Sequence, residues 1–317
     1  MEYQFKISNE LADYSGERVD IFLSSILKIS RTKLQNNIKS GCLTINGLNV
    51  NKPNRILCDG DIINYNHIVL SPKPVLSEKI DLDVIYEDEY LIIINKDIGM
   101  ITHPAGNVKS GSVVNALMHR GSINPEIYDF DEEDYEYRPG VVHRLDKDTS
   151  GLIVFAKSPE IQSKLSDLFK NRMIEKKYIA LVYGNINEVK GIITYPIGRN
   201  KNNRKLMQIR DDGKPAITEF KTIERGNNYT LIEVNLKTGR THQIRTHFKS
   251  INHPVVGDRL YSTSHKNESR LMLHSYSIKF IHPGTGIELY KIAPVKKDFA
   301  DFLEQNGMYL KNYDFEQ

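Results

Sequence analysis

The chain has 317 residues, of which 39% are hydrophobic and 26% charged, and its formal net charge at pH 7 is +3. These values are ordinary for a globular protein and exclude a disordered or fibrous chain, and the length fits two domains of unequal size. The two cysteines, Cys42 and Cys58, form neither a C-x-x-C pair nor a Cys/His cluster. A disulfide scaffold and a zinc ribbon are therefore not expected.

The first ten residues, MEYQFKISNE, are polar and lack the basic and then apolar pattern of a signal peptide. No apolar run approaches the roughly 20 residues that a membrane-spanning helix needs. We therefore expect a cytoplasmic protein with no membrane partner.

Two short helices and a hairpin are predicted near the N-terminus. Apolar residues recur at helical spacing after Arg18, namely Val19, Phe22, Leu23, Ile26 and Leu27. Ser30 suits the N-cap of a second helix, and Gly41 suits its left-handed C-cap. The dipeptide Asn46-Gly47 between two β-prone runs then predicts a tight hairpin.

Residues 15–55 carry seven Lys or Arg residues against Glu17 and Asp20. This excess fits either a phosphate-binding surface or a solvated helical face, and charge alone does not choose. The patterns R-V-D-x-F-L and S-R-T-x-L-x-x-x-I-K-x-G-x-L-x-I-N-G resemble the small RNA-binding domain first seen in a small-subunit ribosomal protein. We accordingly expect RNA contacts from the basic residues Arg18, Arg31, Lys33 and Lys39.

The segment 71–75, Ser-Pro-Lys-Pro-Val, has two prolines and no periodicity, which is typical of an extended linker. It predicts a small domain over residues 1–72. A larger catalytic domain over 80–300 and a C-terminal tail over 301–317 complete the expected organisation.

The larger domain is predicted to be α+β, with a mixed central sheet and flanking helices. Residues 90–96 and 151–158 are short apolar runs typical of buried strands, and 230–236 alternate as a half-buried strand does. Ser158-Pro159 predicts a helix start, followed by apolar residues at helical spacing. The irregular interleaving favours a mixed sheet over a doubly wound parallel one.

A charged cluster lies between apolar runs in residues 138–158, with Arg144, Asp146, Lys147 and Asp148 inside five residues. Isolated carboxylates at the edge of a core need partner cations or donors. From charge alone, a structural ion-pair turn is the favoured reading of this cluster.

The sequence H-R-L-D-K-D-T-S-G-L (143–152) resembles the signature of the RluA/RluD-type pseudouridine synthases. Further motifs of that family follow in its order, and together they cover about residues 80–295: INKDIGMITHPAGN (94–107), KKYIALVYG (176–184), LKTGRTHQIRTHF (236–248), HPVVGDRLY (253–261) and RLMLHSYSI (270–278). The resemblance implies a largely antiparallel central sheet and the conversion of uridine within RNA to its carbon-linked isomer. It also implies that no cofactor is needed, and the chain has no G-x-G-x-x-G, Walker loop or H-E-x-x-H.

The resemblance also implies roles for single residues. Asp146 is the aspartate on which catalysis depends, as nucleophile or as base, and the sequence leaves both open. Tyr178 is the active-site tyrosine, and Arg245 pairs with the aspartate. Arg144 is the arginine that accompanies the flipped nucleotide.

Residues around this centre complete the expected site. Arg240 and His242, with Gln243, are expected in its wall, and the Asn-rich segment 198–210 is expected to follow a phosphate backbone through Arg199, Arg204 and Lys205. His242 and His247 lack a third ligand, so no metal is predicted. The sequence Thr246-His247-Phe248 departs from the Val-His-Met that the family leads us to expect.

Two other functions compete with this interpretation. One is a non-catalytic RNA-binding or ribosome-assembly factor, which would not need a carboxylate beside RNA. The other is a serine hydrolase at Thr149-Ser150-Gly151 with a histidine, although the G-x-S-x-G elbow is missing. We expect a monomer acting on large-subunit ribosomal RNA, with transfer RNA as an open alternative.

Overall fold

The computed structural model describes residues 2–29, 31–66, 75–104, 108–128, 138–262 and 270–310. Ser30, the expected N-cap, and the proline-containing segment 71–74 lie outside these ranges. The chain forms two compact units: Met1–Val75 with Asp129–Arg138, and Leu76–Tyr128 with Pro139–Gln317.

The first unit combines two helices with a small antiparallel sheet. Its elements are β1 (Glu2–Lys6), a 3-10 helix (Asn9–Tyr14), α1 (Val19–Leu27), α2 (Arg31–Lys39), β2 (Leu43–Ile45), β3 (Leu48–Asn49) and β4 (Ile62–Asn66). The strand order is β1-β4-β2-β3. Asn46 and Gly47 both have positive φ, 51° and 77°, as a primed two-residue turn requires. The predicted helices and hairpin are confirmed.

The second unit is built on one large sheet with helices packed on it. Its strands are β5 (Val84–Glu87), β6 (Leu91–Lys96), β7 (Ser150–Ala156), β8 (Glu175–Tyr183), β9 (Lys190–Ile193), β10 (Ile197–Arg199), β11 (Met207–Ile209), β12 (Thr218–Gly226), β13 (Tyr229–Leu236), β14 (Leu273–Ile281) and β15 (Glu288–Ile292). Its helices are α3 (Val113–Arg120), a 3-10 turn (Pro125–Ile127), α4 (Pro159–Lys170), α5 (Gln243–Ser250) and α6 (Lys297–Gln305).

Within the described ranges, nine of these strands join in the order β5-β6-β7-β14-β8-β13-β12-β9, and β15 pairs with the second half of β14. The β7–β14 pair is parallel and the other pairs are antiparallel. Strands β10 and β11 form a separate hairpin. The predicted α+β class, with its mixed and largely antiparallel sheet, is therefore confirmed.

The β7–β14 pair determines how the charged signature enters the sheet. Gly151 has a φ of 109°, and a Cβ atom there would lie 2.2 Å from the carbonyl oxygen of Ser275. Only glycine fits both the backbone conformation and the close approach of the two strands. The signature thus passes directly from its polar loop into the middle of the sheet.

The C-terminal segment differs from the expected tail. Helix α6 crosses residue 301, and Phe299, Leu303 and Met308 are buried in the same cluster as Leu181 and Leu231. Phe299 and Leu303 lie four residues apart, so they form one apolar stripe along the helix. Residues 301–308 are therefore part of the folded second unit.

No helix in the part of the chain that the structure describes has the length and apolar character to cross a membrane.

We expect Gly151→Ala to lower the free energy of unfolding by about 3 kcal/mol, because the new methyl group meets the Ser275 backbone in a left-handed conformation. Gly239 has open space around its Cβ position and no positive φ, so Gly239→Ala should stay within about 1 kcal/mol of wild type. Urea denaturation of both variants measures the difference. Equal unfolding free energies of Gly151→Ala and Gly239→Ala would contradict the close approach of residue 151 to the Ser275 backbone.

Candidate active site

The loop that carries Asp146 is held through its main chain. The carbonyl oxygen of Lys147 accepts hydrogen bonds from Gly99 N at 2.9 Å and from Lys96 Nζ at 3.1 Å. Lys96 is 1% exposed and also donates to the carbonyls of Asp97 and Met100. Burial lowers the pKa of Lys96 to about 7, although nearby carboxylates oppose this shift. The three carbonyls satisfy the ammonium group, and the aspartate's loop is thereby tied to the segment after β6.

A buried arginine links Asp146 to a second carboxylate. Arg245, in the first turn of α5, donates from Nη1 to Asp146 Oδ2 at 3.1 Å. Its Nε and Nη2 atoms donate to Asp258 at 2.7 and 2.8 Å. The side chain of Asp258 is fully buried, whereas that of Asp146 is 23% exposed. Asp258 raises the pKa of Arg245 more than Asp146 does, against the desolvation that lowers it. Arg245 is thus a fixed cation that presents one N–H to Asp146.

Tyr178 lies in the middle of β8, between Ser275 on β14 and Val234 on β13. It is 7% exposed and lines the same cavity as Asp146. Burial raises the pKa of Tyr178 to about 12, and the charge of Asp146 adds to this shift. The phenol therefore keeps its proton at neutral pH.

His242 stands at the start of α5 and contacts both a carboxylate and a phenol. Its Nδ1 atom lies 2.8 Å from Tyr261 Oη, and its Nε2 atom lies 3.7 Å from Asp146 Oδ2. The backbone N–H of Met207, in β11, donates to the same Tyr261 oxygen at 2.8 Å. Desolvation is the largest effect on the pKa of His242, and it lowers that pKa. The imidazole is therefore neutral at pH 7.

These side chains open on a cavity of about 860 Å³. Its lining includes seven basic residues, Arg144, Lys170, Arg172, Lys176, Lys237, Arg240 and Arg245, and two acidic ones, Asp146 and Glu175. The cavity is large enough for a nucleotide, and its excess of positive charge suits a polyanion. One partly exposed carboxylate in such a cavity is available for reaction.

The structure brings together six predicted site residues as lining of this cavity: Asp146, Tyr178, Arg245, Arg144, Arg240 and His242. Arg144 is exposed, and Arg240 donates from Nε to the Pro215 carbonyl. Arg199, Arg204 and Lys205 do not line the cavity. They lie exposed on the β10–β11 hairpin, where Arg199 donates to the Arg204 carbonyl.

The basic residues of the first unit divide into two groups. Arg18 and Arg31 donate to the fully buried carboxylate of Asp20, Arg18 through two hydrogen bonds of 2.9 Å. Lys33 is only 7% exposed, whereas Lys39 is exposed. Arg18 and Arg31 therefore neutralise a buried carboxylate, a structural role that the charge pattern did not indicate.

The Ser150–His274 contact is the serine–histidine pair that the serine hydrolase alternative would use. Ser150 Oγ lies 2.9 Å from His274 Nδ1, but both residues are fully buried. Arg270 donates to Ser150 Oγ, and His274 Nε2 faces the Ala293 carbonyl. A nucleophile needs access to its substrate, so this chain of hydrogen bonds is structural.

The two histidines considered for a metal face different partners. His247 contacts Thr218 Oγ1 and the Tyr195 carbonyl, away from the contacts of His242. Across the described ranges, no group of three or more His, Cys, Asp or Glu side chains could hold a metal ion. Phe248, at the position that departs from the family pattern, is fully buried with its ring edge against Phe220.

Sequence reasoning missed three residues that build the site, namely Lys96, Asp258 and Tyr261. All three stand inside quoted motifs, INKDIG and HPVVGDRLY. Their contacts join segments far apart in the chain, so the motifs marked their positions without indicating their partners.

We expect Asp258→Ala to lower the free energy of unfolding by about 3–5 kcal/mol, because it leaves the buried Arg245 short of its main partner. Asp146→Ala should change it by less than about 1 kcal/mol, since Arg245 keeps Asp258. Chemical denaturation compares the two. Similar losses of unfolding free energy in both variants would contradict the assignment of Asp258 as the main partner of Arg245.

The stability of the protein should depend on pH through His274. Burial lowers the pKa of His274 from 6.5 to about 3, so between these values the unfolded chain binds a proton that the folded chain does not. The stabilisation from neutral His274 is complete above pH 6.5 and is lost as the pH falls towards 3. The unfolding free energy falls by up to about 1.4 kcal/mol per pH unit in this range. We expect His274→Gln to reduce the slope of unfolding free energy against pH between pH 3 and pH 6.5. Parallel curves for variant and wild type would refute the assignment.

Comparison with known proteins identifies the family of this chain. The family model described as RNA pseudouridylate synthase matches residues 90–250. The uncharacterized RNA pseudouridine synthase YlyB of Bacillus subtilis (strain 168) is 39% identical over 92% of this chain and 95% of its own length. The ribosomal large subunit pseudouridine synthase D of Escherichia coli (strain K12) is 34% identical over 91% of this chain and 90% of its own.

A solved structure shares the fold. The human RNA pseudouridylate synthase domain containing 1 superposes with a TM-score of 0.56 and 24% identity, over 71% of this chain and 86% of that one. The family model, the full-length relatives and the fold point to one conclusion. This chain belongs to the RNA pseudouridylate synthase family, as an RluA/RluD-type RNA pseudouridine synthase.

Proposed function

We propose that this enzyme converts specific uridines of large-subunit ribosomal RNA to pseudouridine, with Asp146 as its catalytic residue. The observation that carries the proposal is the partly exposed Asp146 carboxylate, held by Arg245 in a cationic cavity of about 860 Å³. Relatives along nearly the whole chain that are named for the large ribosomal subunit support the choice of RNA. The proposal includes a cytoplasmic monomer that works without a small-molecule cofactor.

The reaction rearranges one nucleotide without net gain or loss of atoms. The bond from a uracil nitrogen to the sugar breaks, the base rotates, and a ring carbon bonds to the same sugar carbon while its proton moves to a ring nitrogen. A carboxylate can serve as nucleophile at the anomeric carbon or as base on the sugar. The Arg245 contact orients the Asp146 carboxylate for either role.

Tyr178 is proposed to form the floor against which the uracil ring rests. Its ring is nearly buried in the central strand β8, so it offers a fixed surface for stacking. With a pKa of about 12, its hydroxyl stays protonated at neutral pH and enters the reaction as a hydrogen-bond donor. We assign it an assisting contact in the proton transfer that completes the isomerisation.

The uridine must leave its helix to reach this cavity, at a cost of about a few kcal/mol. Arg144 is exposed two residues before Asp146, and we assign it the contact that accompanies the flipped nucleotide. Arg240 and His242 also line the cavity, and we assign contacts with phosphates outside it to the exposed hairpin cations Arg204 and Lys205.

The first unit is proposed as an additional RNA contact. Lys39 and the exposed half of the Arg31 side chain are among its available cations, although Arg18 and Arg31 also neutralise Asp20. Such contacts to phosphates position the RNA rather than read its sequence.

We expect Asp146→Asn to lower pseudouridine formation by about 10²–10⁴-fold or more while RNA affinity stays within about threefold, because only the reactive charge is lost. Asp301→Asn on α6, which does not line the cavity, is the matched control and should keep wild-type activity. Carbodiimide mapping of ribosomal and transfer RNA, from a strain lacking this gene and complemented with each variant, measures the product.

Pseudouridines in large-subunit RNA should vanish without the gene and return with wild type and Asp301→Asn alone. Restoration by Asp146→Asn would overturn the catalytic assignment. Loss confined to transfer RNA would overturn the proposed substrate. RNA binding by a wild type that forms no pseudouridine would favour the non-catalytic binding factor.

A further inference from the structure

We propose that Tyr261 is a positioning residue that fixes the tautomer of His242 and so directs a second N–H group at the reactive carboxylate of Asp146. The inference rests on the proposed catalytic role of Asp146. It concerns a side chain that lies 3% exposed behind the wall of the cavity.

The hydroxyl group of Tyr261 can both accept and donate a hydrogen bond. The amide of Met207 can only donate, so at 2.8 Å it occupies an acceptor position of Tyr261 Oη. Burial raises the pKa of Tyr261, so the phenol keeps its proton. That proton is available to His242 Nδ1, also at 2.8 Å from Oη. The Thr246 hydroxyl is a further neighbour of Tyr261, and it lowers the Tyr261 pKa, as a hydrogen-bond donor to the phenol oxygen does.

A neutral histidine carries one N–H, and accepting a proton from Tyr261 at Nδ1 places that N–H on Nε2. Nε2 then faces Asp146 Oδ2 at 3.7 Å as a donor. The other tautomer would set the Nε2 lone pair against a carboxylate oxygen, which electrostatics disfavours.

The Nε2–H of His242 and the Nη1–H of Arg245 both approach Oδ2 of Asp146. Among the described residues, no donor lies at hydrogen-bonding distance from Oδ1, so this is the oxygen left for the substrate. The 3.7 Å separation leaves room for the histidine contact to shorten when RNA is bound.

The surroundings keep Tyr261 in this position. The guanidinium of Arg245 lies 5.1 Å from the centre of the Tyr261 ring, and the rings of Tyr261 and His242 meet edge to face. Met207 belongs to the hairpin that carries Arg199, Arg204 and Lys205. The pair Tyr261 and His242 therefore connects the main chain of a basic hairpin to the catalytic carboxylate.

The direct test is nitrogen NMR of the enzyme labelled at histidine, with His242→Gln used to assign the signals. Wild type should show His242 protonated at Nε2, and Tyr261→Phe should shift the population towards the Nδ1 form. Tyr309→Phe, which removes an exposed hydroxyl, is the matched control and should leave the signals unchanged. An unchanged tautomer in Tyr261→Phe would overturn the proposal.

Kinetics provide the second measurement. Tyr261→Phe should lower kcat by up to about tenfold, with KM and RNA affinity within about twofold, because one hydrogen bond behind the reacting group is lost. His242→Gln keeps an amide N–H near the Nε2 position, whereas His242→Asn reaches only the Nδ1 position. We expect His242→Gln to retain several-fold more activity than His242→Asn.

The outcomes separate this inference from the proposed function. A wild type without synthase activity would refute the proposed function, while the NMR result would still test the tautomer. Equal activity of His242→Gln and His242→Asn would overturn the positioning role. If Tyr261→Phe does not fold, this pair of His242 variants decides the question.

Discussion

The site depends on one buried cation shared between two carboxylates. Arg245 is 4% exposed and binds the fully buried Asp258 through two hydrogen bonds, while it reaches the partly exposed Asp146 through one. An isolated guanidinium at such depth would be very unfavourable, and Asp258 compensates for it. In the proposed catalytic role, Asp146 is then free to change its partner without leaving a buried charge unpaired. The buried ion pair and the proposed reactivity thus belong to different carboxylates.

Two uncharged side chains, His242 and Tyr178, line the cavity together with Asp146. Burial lowers the pKa of His242 and raises that of Tyr178 to about 12, so the first is uncharged and the second holds its proton at neutral pH. Seven basic residues line the same cavity. Under the proposed function, the RNA phosphates meet these cations, while His242 and Tyr178 provide uncharged hydrogen-bonding groups beside Asp146.

Much of this could be predicted from the sequence, for identifiable reasons. The Asn46-Gly47 turn and the apolar spacing of α1 are local signals, so they needed no knowledge of the tertiary structure. The motifs holding Asp146 and Arg245 marked two residues 99 positions apart that meet at 3.1 Å. Their pairing came from the resemblance, because spacing alone does not predict a contact over such a distance.

Other features depend on tertiary contacts that no local pattern contains. Arg18 and Arg31 were expected to contact RNA because their motifs resemble a small RNA-binding domain, and both also neutralise Asp20, whose burial is a property of the folded unit. Asp258 became a site residue only once α5 was placed against the loop that contains it. The apolar spacing of Phe299 and Leu303 is a local pattern that predicts a helix, but the expected domain boundary at residue 301 divided it.

The hydrogen bonds from Lys96 and Gly99 to the Lys147 carbonyl affect how the sequence of this enzyme can change in evolution. The loop is anchored through backbone atoms, while the side chains of Lys147 and Asp148 are exposed. Substitutions at those two positions can alter the surface offered to RNA without moving the Asp146 carboxylate that precedes them. New target sites can therefore evolve on this scaffold while the reaction itself is inherited intact.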